Sequence, residues 1–317
     1  MSNIRAMEMS NRRFIFCGVE FKLYMPKGAY LHFLRKIKGI LPEPERAKGR
    51  KVPDFEVYFS VGRPSFRVVG KRVMVKEAAD MHTIGVDAAH LVSKLLESEL
   101  NRKNVFSMHG AALTVDGRAF ILMGRPKAGK SVTSIYSCLS DSSVRFITDD
   151  RIFIDAHLRI VCGSGHVRPR GHRPLDELTV LGLKKIRSIH RLALASSNNK
   201  AIIPISSLGI RGQKAYPVSI GAIFILKRGG AKMRHTSMMH STQPEKFIRH
   251  ELEVFNQIPG GLAGGKLTFG ATRSRKYMKA RAALAKSICK TISIVRLEGS
   301  TVDMSNFMLG QMHRIRL

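Results

Sequence analysis

Three groups of residues between Met108 and Arg151 have the types and spacing to handle the phosphates of a nucleotide. The first is Gly124-Arg125-Pro126-Lys127-Ala128-Gly129-Lys130-Ser131, which matches the phosphate-loop pattern G-x-x-x-x-G-K-[ST] at every fixed position. Glycines at 124 and 129 let the backbone curl so that its N–H groups point inward at phosphate oxygens. Lys130, expected to face solvent in the empty protein, can reach the β and γ phosphates. Ser131 can offer its hydroxyl to Mg²⁺, and the start of a helix adds partial positive charge. The second group is Asp149-Asp150. Of two adjacent carboxylates beside such a loop, one can hold Mg²⁺ through water and the other can take a proton from an attacking hydroxyl. The plain alternative is a polar turn, since Asp-Asp ends many strands. The third is His109, just before the hairpin that feeds the loop. A lone histidine is more often structural, and only its neighbours make this one a candidate.

These residues need particular elements to hold them. Arg118–Met123 is a short apolar run after an Asp116-Gly117 turn and reads as a strand leading into the loop. Val132–Leu139 reads as the helix that leaves it. Val144–Thr148 reads as a second strand, with the Asp pair at its end.

This order of features resembles the HPr kinase/phosphorylase family and its relatives in the phosphoenolpyruvate carboxykinase-like superfamily. That family shows His-Gly, a short hairpin, the phosphate loop, one helix, then a strand ending in Asp-Asp-Arg. Here the counterparts are His109-Gly110, Gly124 to Ser131 and Asp149-Asp150-Arg151. The resemblance is strong over residues 105–155 and weak beyond. It implies that Lys130 and Ser131 bind nucleotide and Mg²⁺. It also implies that Asp150 is the catalytic acid/base, with His109 and Lys130 beside it and Asp149 supporting the metal with Ser131. HPr kinase proper carries a Glu-bearing segment after the Asp pair, whose Glu helps bind Mg²⁺. The corresponding stretch here, 157–174, contains no Glu. In that respect the chain looks more like HPr-kinase-related small-molecule or peptide kinases.

The same stretch carries Arg168, Arg170 and Arg173. Their planar donors suit an acidic or phosphorylated substrate, and the alternative is a solvated basic loop. Gly260–Gly265 is glycine-rich, but no strand leads in and no Lys-Ser/Thr follows, so it reads as a flexible connection.

Composition sets the wider bounds. The chain has 317 residues, enough for one large or two modest domains. Lys and Arg number 54 against 23 Asp and Glu, a formal charge of +31. That excess attracts polyanions such as RNA, or it reflects a general basic bias. There is no Trp and no defined nucleic-acid module. No apolar run reaches bilayer length, and Met1 to Arg13 lacks the apolar stretch of a secretory signal. Cys17, Cys138, Cys162 and Cys289 form no C-x-x-C pair and read as reduced thiols, which points to the cytoplasm.

The expected fold is α/β: a phosphate-loop domain around a mixed sheet over 104–317, behind an N-terminal α+β lobe over 1–103. The lobe reads as a hairpin at Gly18, a helix Ala29–Ile40, strands Asp54–Val61, Ser65–Val69 and Arg72–Lys76, and a helix Val86–Leu100. It carries no chemistry and is expected to serve packing, homo-oligomer contact or substrate selection. Further on, Val218–Leu226 reads as a strand paired with Met233–Met239, followed by helices Pro244–Gln257 and Arg273–Lys290 and a strand Ile292–Leu297. The expected function is ATP- and Mg²⁺-dependent phosphoryl transfer to a hydroxyl acceptor, serine-like by the resemblance, on a protein, peptide or small molecule. The alternative is a non-kinase ATP-binding module that binds RNA or another polyanion.

Overall fold

The computed structural model describes residues 8–38, 41, 45–46, 52–167, 203–229, 233–238, 243–253 and 275–315. Within them the architecture is mixed α/β, with six α-helices. The described residues up to Lys103 and those from Asn104 fall into separate compact units.

The first unit contains β1 (Met9–Phe16), β2 (Val19–Pro26), α1 (Lys27–Lys38), β3 (Glu45–Arg46), β4 (Phe55–Val61), β5 (Ser65–Val69), β6 (Arg72–Glu77) and α2 (Met81–Arg102). Its six-stranded sheet runs β3-β1-β2-β4-β6-β5. Alternation decides which face is covered: Phe21, Leu23 and Met25 on β2 and Val57 and Phe59 on β4 are all buried, while Lys22, Tyr24, Glu56 and Tyr58 stay partly open. The helix α2 starts earlier than the apolar pattern predicts. Asp80 caps it by accepting from the Thr83 backbone N–H at 2.8 Å. Gly85 lies inside its first turns because a Cβ there would stand 2.5 Å from the Ala29 carbonyl and 2.8 Å from the Phe33 nitrogen. The glycine is what lets α2 cross α1 so closely.

The second unit contains β7 (Val105–His109), β8 (Ala111–Val115), β9 (Arg118–Met123), α3 (Lys130–Ser140), β10 (Arg145–Thr148), β11 (Arg151–Asp155), β12 (Arg159–Cys162), β13 (His166–Val167), β14 (Ile203–Pro204), β15 (Val218–Arg228), β16 (Arg234–Ser237), α4 (Gln243–Glu253), α5 (Arg275–Thr291), β17 (Ser293–Gly299) and α6 (Thr301–Arg314). A nine-stranded mixed sheet runs β10-β8-β9-β15-β12-β11-β7, with β17 also on β15 and β16 on β17. Strands β9, β15 and β17 are parallel. Side chains alternate into two cores. On one face Phe120, Leu122, Phe224 and Leu226 meet Val132 and Ile135 of α3 and Met304 and Met308 of α6. On the other, Ile121, Met123 and Ile223 meet Ile248 and Leu252 of α4 and Leu284 and Ile288 of α5.

Three expectations change. The segment after β15 does not fold back on it: β16 pairs with β17, since β15 is already bonded to β9, β12 and β17. The residues after the expected strand Ile292–Leu297, for which no element is expected, form α6, which Ser300 caps through the Asp303 N–H. Cys138 and Cys289 carry free thiols, but Cys17 and Cys162 do not, contrary to the reduced state expected of all four. Spacing along a chain carries no information about long-range pairing. No helix among the described residues is long and apolar enough to cross a membrane.

Candidate active site

The strand β9 delivers its last residue, Met123, into the core and then stops. Gly124 follows at φ 151, where a Cβ would stand 2.6 Å from the Leu226 carbonyl of β15 and 2.8 Å from the Ala128 Cβ. Only glycine fits that approach. The Ala128 N–H donates to the Arg125 carbonyl at 3.1 Å and closes a tight turn. Lys127 (φ 69) and Gly129 (φ 92) both take left-handed conformations, and Gly129 is the N-cap of α3. Arg125, Pro126 and Lys127 are exposed, whereas Ala128 is buried.

The structure corrects one expectation within the loop. Lys130 does not project freely. Its Nζ donates to the Gly124 carbonyl at 2.8 Å and reaches that of Arg125 at 3.5 Å, so the side chain clasps the loop.

The second group of residues meets the first. Strand β10 is antiparallel to β8, next to β9, so its C-terminal end arrives beside the start of α3. There Asp149, 3% exposed, receives the Ser131 hydroxyl, whose Oγ is 3.0 Å from each carboxylate oxygen. Asp150 follows at φ 73, a left-handed conformation that aspartate tolerates better than most residues. Thr148 holds the turn by donating its hydroxyl to the Arg151 carbonyl at 2.9 Å.

His109 is brought in by the sheet. Strands β7 and β11 pair antiparallel with His109 opposite Arg151, so the imidazole lands beside Asp150, and its Nε2 is 3.4 Å from Asp150 Oδ1. Gly110 then lets the chain turn into β8, since a Cβ there would stand 2.9 Å from the Leu122 carbonyl. The other ring nitrogen, Nδ1, is 2.6 Å from Glu251 Oε2 on α4. Glu251 is 5% exposed. Burial pulls the His109 pKa down, but the bonds to Asp150 and Glu251 outweigh it and leave the ring titrating above its ordinary value, while Lys130 nearby opposes the rise.

Glu251 was not singled out from the sequence. A signal existed. Phe247, Ile248 and Leu252 mark the inward arc of α4, and Glu251 lies three or four residues from the first two, on the same arc. A carboxylate there has to find a partner.

Beside the loop, at the C-terminal ends of β9 and β15, a cleft of about 520 Å³ opens. Gly124 to Ala128 form one wall, Leu226 to Arg228 another, and Met238, Pro244 and Phe247 an apolar side, with Arg296 on the rim. The carboxyl ends of parallel strands are the usual place for ligands in sheets of this kind. Among the described residues no group of three or more His, Cys, Asp or Glu is placed to hold a metal ion. Ser131 and Asp149 together offer a hydroxyl and a carboxylate, hard oxygen donors of the kind Mg²⁺ takes along with water and phosphate oxygens. Arg168, Arg170, Arg173 and the glycine-rich 260–265 lie outside the described residues. No protein-family model and no curated protein matches this chain.

Proposed function

We propose that the second unit is a phosphate-loop domain and that the chain is an ATP-dependent, Mg²⁺-requiring kinase acting on a hydroxyl acceptor. One observation carries the reading. The glycine loop, the Ser131–Asp149 pair and the His109–Asp150 pair, which come from three separate strand ends, converge at the start of α3.

In this reading the ATP phosphates lie on the loop amides and the first turn of α3, and Lys130 exchanges its bonds to the Gly124 and Arg125 carbonyls for phosphate oxygens. Ser131 and Asp149 would hold Mg²⁺, which would supply positive charge against the phosphates. Asp150 takes the proton from the acceptor hydroxyl. The acceptor oxygen then bonds to the γ phosphorus as the bond from that phosphorus to the ADP oxygen breaks. His109 orients the Asp150 carboxylate through Nε2. The cleft beside the loop has the size of a small-ligand site, about 300–1,000 Å³, and its apolar side suits the nucleoside.

The test is phosphate transfer from γ-labelled ATP into a cell extract, comparing wild type with Asp150→Asn. Labelling of a discrete acceptor by the wild type, reduced about 10²–10⁴-fold in the variant, supports the reading. Equal labelling by both removes Asp150 from the chemistry.

The second reading, binding of RNA or another polyanion, is favoured by α5. That helix has no acidic residue, and Lys276, Lys279, Lys286 and Lys290 are exposed along one face. It predicts RNA binding that weakens steeply with salt, whether or not ATP is present.

A further inference from the structure

Among the described residues, Glu251 is the one buried carboxylate in contact with the proposed machinery that the reaction scheme leaves without a task. Burial of a carboxylate is costly unless a partner compensates it. Ile248 and Leu252 on the same helix show that this position faces an apolar core, where a hydrophobic side chain would pack without that cost. What Glu251 has instead is His109, at 2.6 Å.

The groups around His109 define what such a contact can do. Asp150 faces Nε2, Glu251 faces Nδ1, Lys130 acts on the ring through its charge, and Arg151 stands opposite in the strand pair. Nδ1 can donate to Glu251 only if it carries a proton. With Nδ1–H committed, the ring cannot flip without breaking a charge-assisted bond, and Nε2, which must carry its own proton to donate to the Asp150 carboxylate, stays turned to it.

We propose that Glu251 is a positioning residue for the proposed phosphoryl transfer: it accepts the Nδ1–H of His109, fixes the ring, and so holds Nε2 against Asp150. It acts through His109 and touches neither substrate. The inference rests on the kinase reading for its consequence but not for its geometry. The helix adds a further link. Pro244, Phe247 and Glu251 lie at i, i+3 and i+7 on α4, one face over two turns, about 10 Å. Pro244 and Phe247 form part of the cleft wall. The helix that lines the cleft beside the loop is therefore the one that fixes the imidazole.

The experiment uses the full chain with ¹⁵N-labelled histidine. The ring ¹⁵N shifts of His109, assigned with His109→Asn, report which nitrogen holds the proton. In wild type, with a carboxylate at each nitrogen, both Nδ1 and Nε2 hold protons. In Glu251→Gln, whose amide oxygen can still accept, Nδ1 keeps its proton. In Glu251→Ala the ring loses its Nδ1 acceptor, and the neutral tautomers mix. ATP turnover is measured in parallel. Glu251→Ala is expected to lower kcat about 10- to 100-fold, the scale for losing an outer-layer partner of a working histidine, with the KM for ATP within about twofold and partial recovery in Glu251→Gln. Unchanged ¹⁵N shifts in Glu251→Ala overturn the proposal, as does a KM that moves as much as kcat. If Glu251→Ala does not fold, Glu251→Gln decides: a proton found on Nε2 alone overturns it. Absence of ATP binding in the wild type refutes the kinase reading, and the ¹⁵N arm still judges the Glu251–His109 contact.

Discussion

Lys130→Ala separates two tasks of one side chain. In the empty protein its Nζ holds the Gly124 carbonyl at 2.8 Å and the Arg125 carbonyl at 3.5 Å, so it closes the loop on itself. The residue is half-buried, and the carbonyls it releases can turn to water. Its loss is therefore expected to cost about 1 kcal/mol, a fall in melting temperature of about 2–4 °C for a unit of this size. The effect on nucleotide is larger. A charge-assisted bond from lysine to phosphate contributes about 1.5–3 kcal/mol, so ATP affinity should drop about 10- to 150-fold. Lys127 serves as the control. It is exposed on the same loop and acts only through a solvent-screened charge, so Lys127→Ala should change affinity by less than about threefold, on the scale of a screened surface charge. Calorimetric titration with ATP and Mg²⁺ measures both. Wild-type affinity in Lys130→Ala, or equal losses in the two variants, would refute the assignment of the loop.

Three further outcomes are expected. Asp149→Asn should raise the Mg²⁺ concentration needed for half-maximal turnover while leaving nucleotide binding without metal unchanged; a Mg²⁺ titration checks it, and an unaltered requirement places the metal elsewhere. Gly124→Ala forces a Cβ to within 2.6 Å of the Leu226 carbonyl at φ 151 and should destabilise the larger unit by about 2 kcal/mol or more, read by urea unfolding. In the first unit, burial and then the charge of Asp87 push the Glu77 carboxyl up to about 7 from 4.5. The folded state thus holds that proton more tightly than the unfolded chain, and stability falls as pH rises from about 4.5 through about 7, by about 3 kcal/mol at about 1.4 kcal/mol per pH unit. Glu77→Gln should flatten this slope and be the more stable protein at pH 8; parallel slopes in urea unfolding at pH 5 and pH 8 argue against it.

The fold was legible where local chemistry dictates it. Asp116-Gly117 has both residues at positive φ (48 and 75), the geometry of a two-residue hairpin, and the turn residues announced it. The same is true of Cys17-Gly18, at φ 47 and 73. It was illegible where a residue serves a distant neighbour. Gly85 looks like a helix breaker in the sequence, yet its purpose is the crossing of α1, so the start of α2 was read too late. The stripe Met304, Met308, Met312 at helical spacing belongs to α6, an element not expected after the strand Ile292–Leu297. The partner of β16 depended on which edges of β15 were already taken, and no local pattern records that.

The candidate site divides along the same line. The loop and the Asp pair lie within one strand-loop-helix-strand run, and the pairing of β10 with β8 brings Ser131 to Asp149. His109 reaches Asp150 only through the β7–β11 register. Glu251 comes from a helix placed by core packing, 142 residues away. What the sequence does disclose at such a distance is an anomaly: a carboxylate at a position whose neighbours are apolar. Glu251 on α4 and Glu77 on β6 are both of this kind, and the structure separates them. Glu251 Oε2 is matched to an imidazole nitrogen at 2.6 Å. Glu77 Oε2 has no hydrogen-bond partner among the described residues, and the charge that acts on it is another carboxylate, Asp87. The same substitution, Glu to Gln, is therefore expected to act oppositely at the two positions. At Glu77 it removes a charge that folding disfavours, and stability rises. At Glu251 it removes a charge that an imidazole compensates, and turnover falls while the ring keeps its orientation.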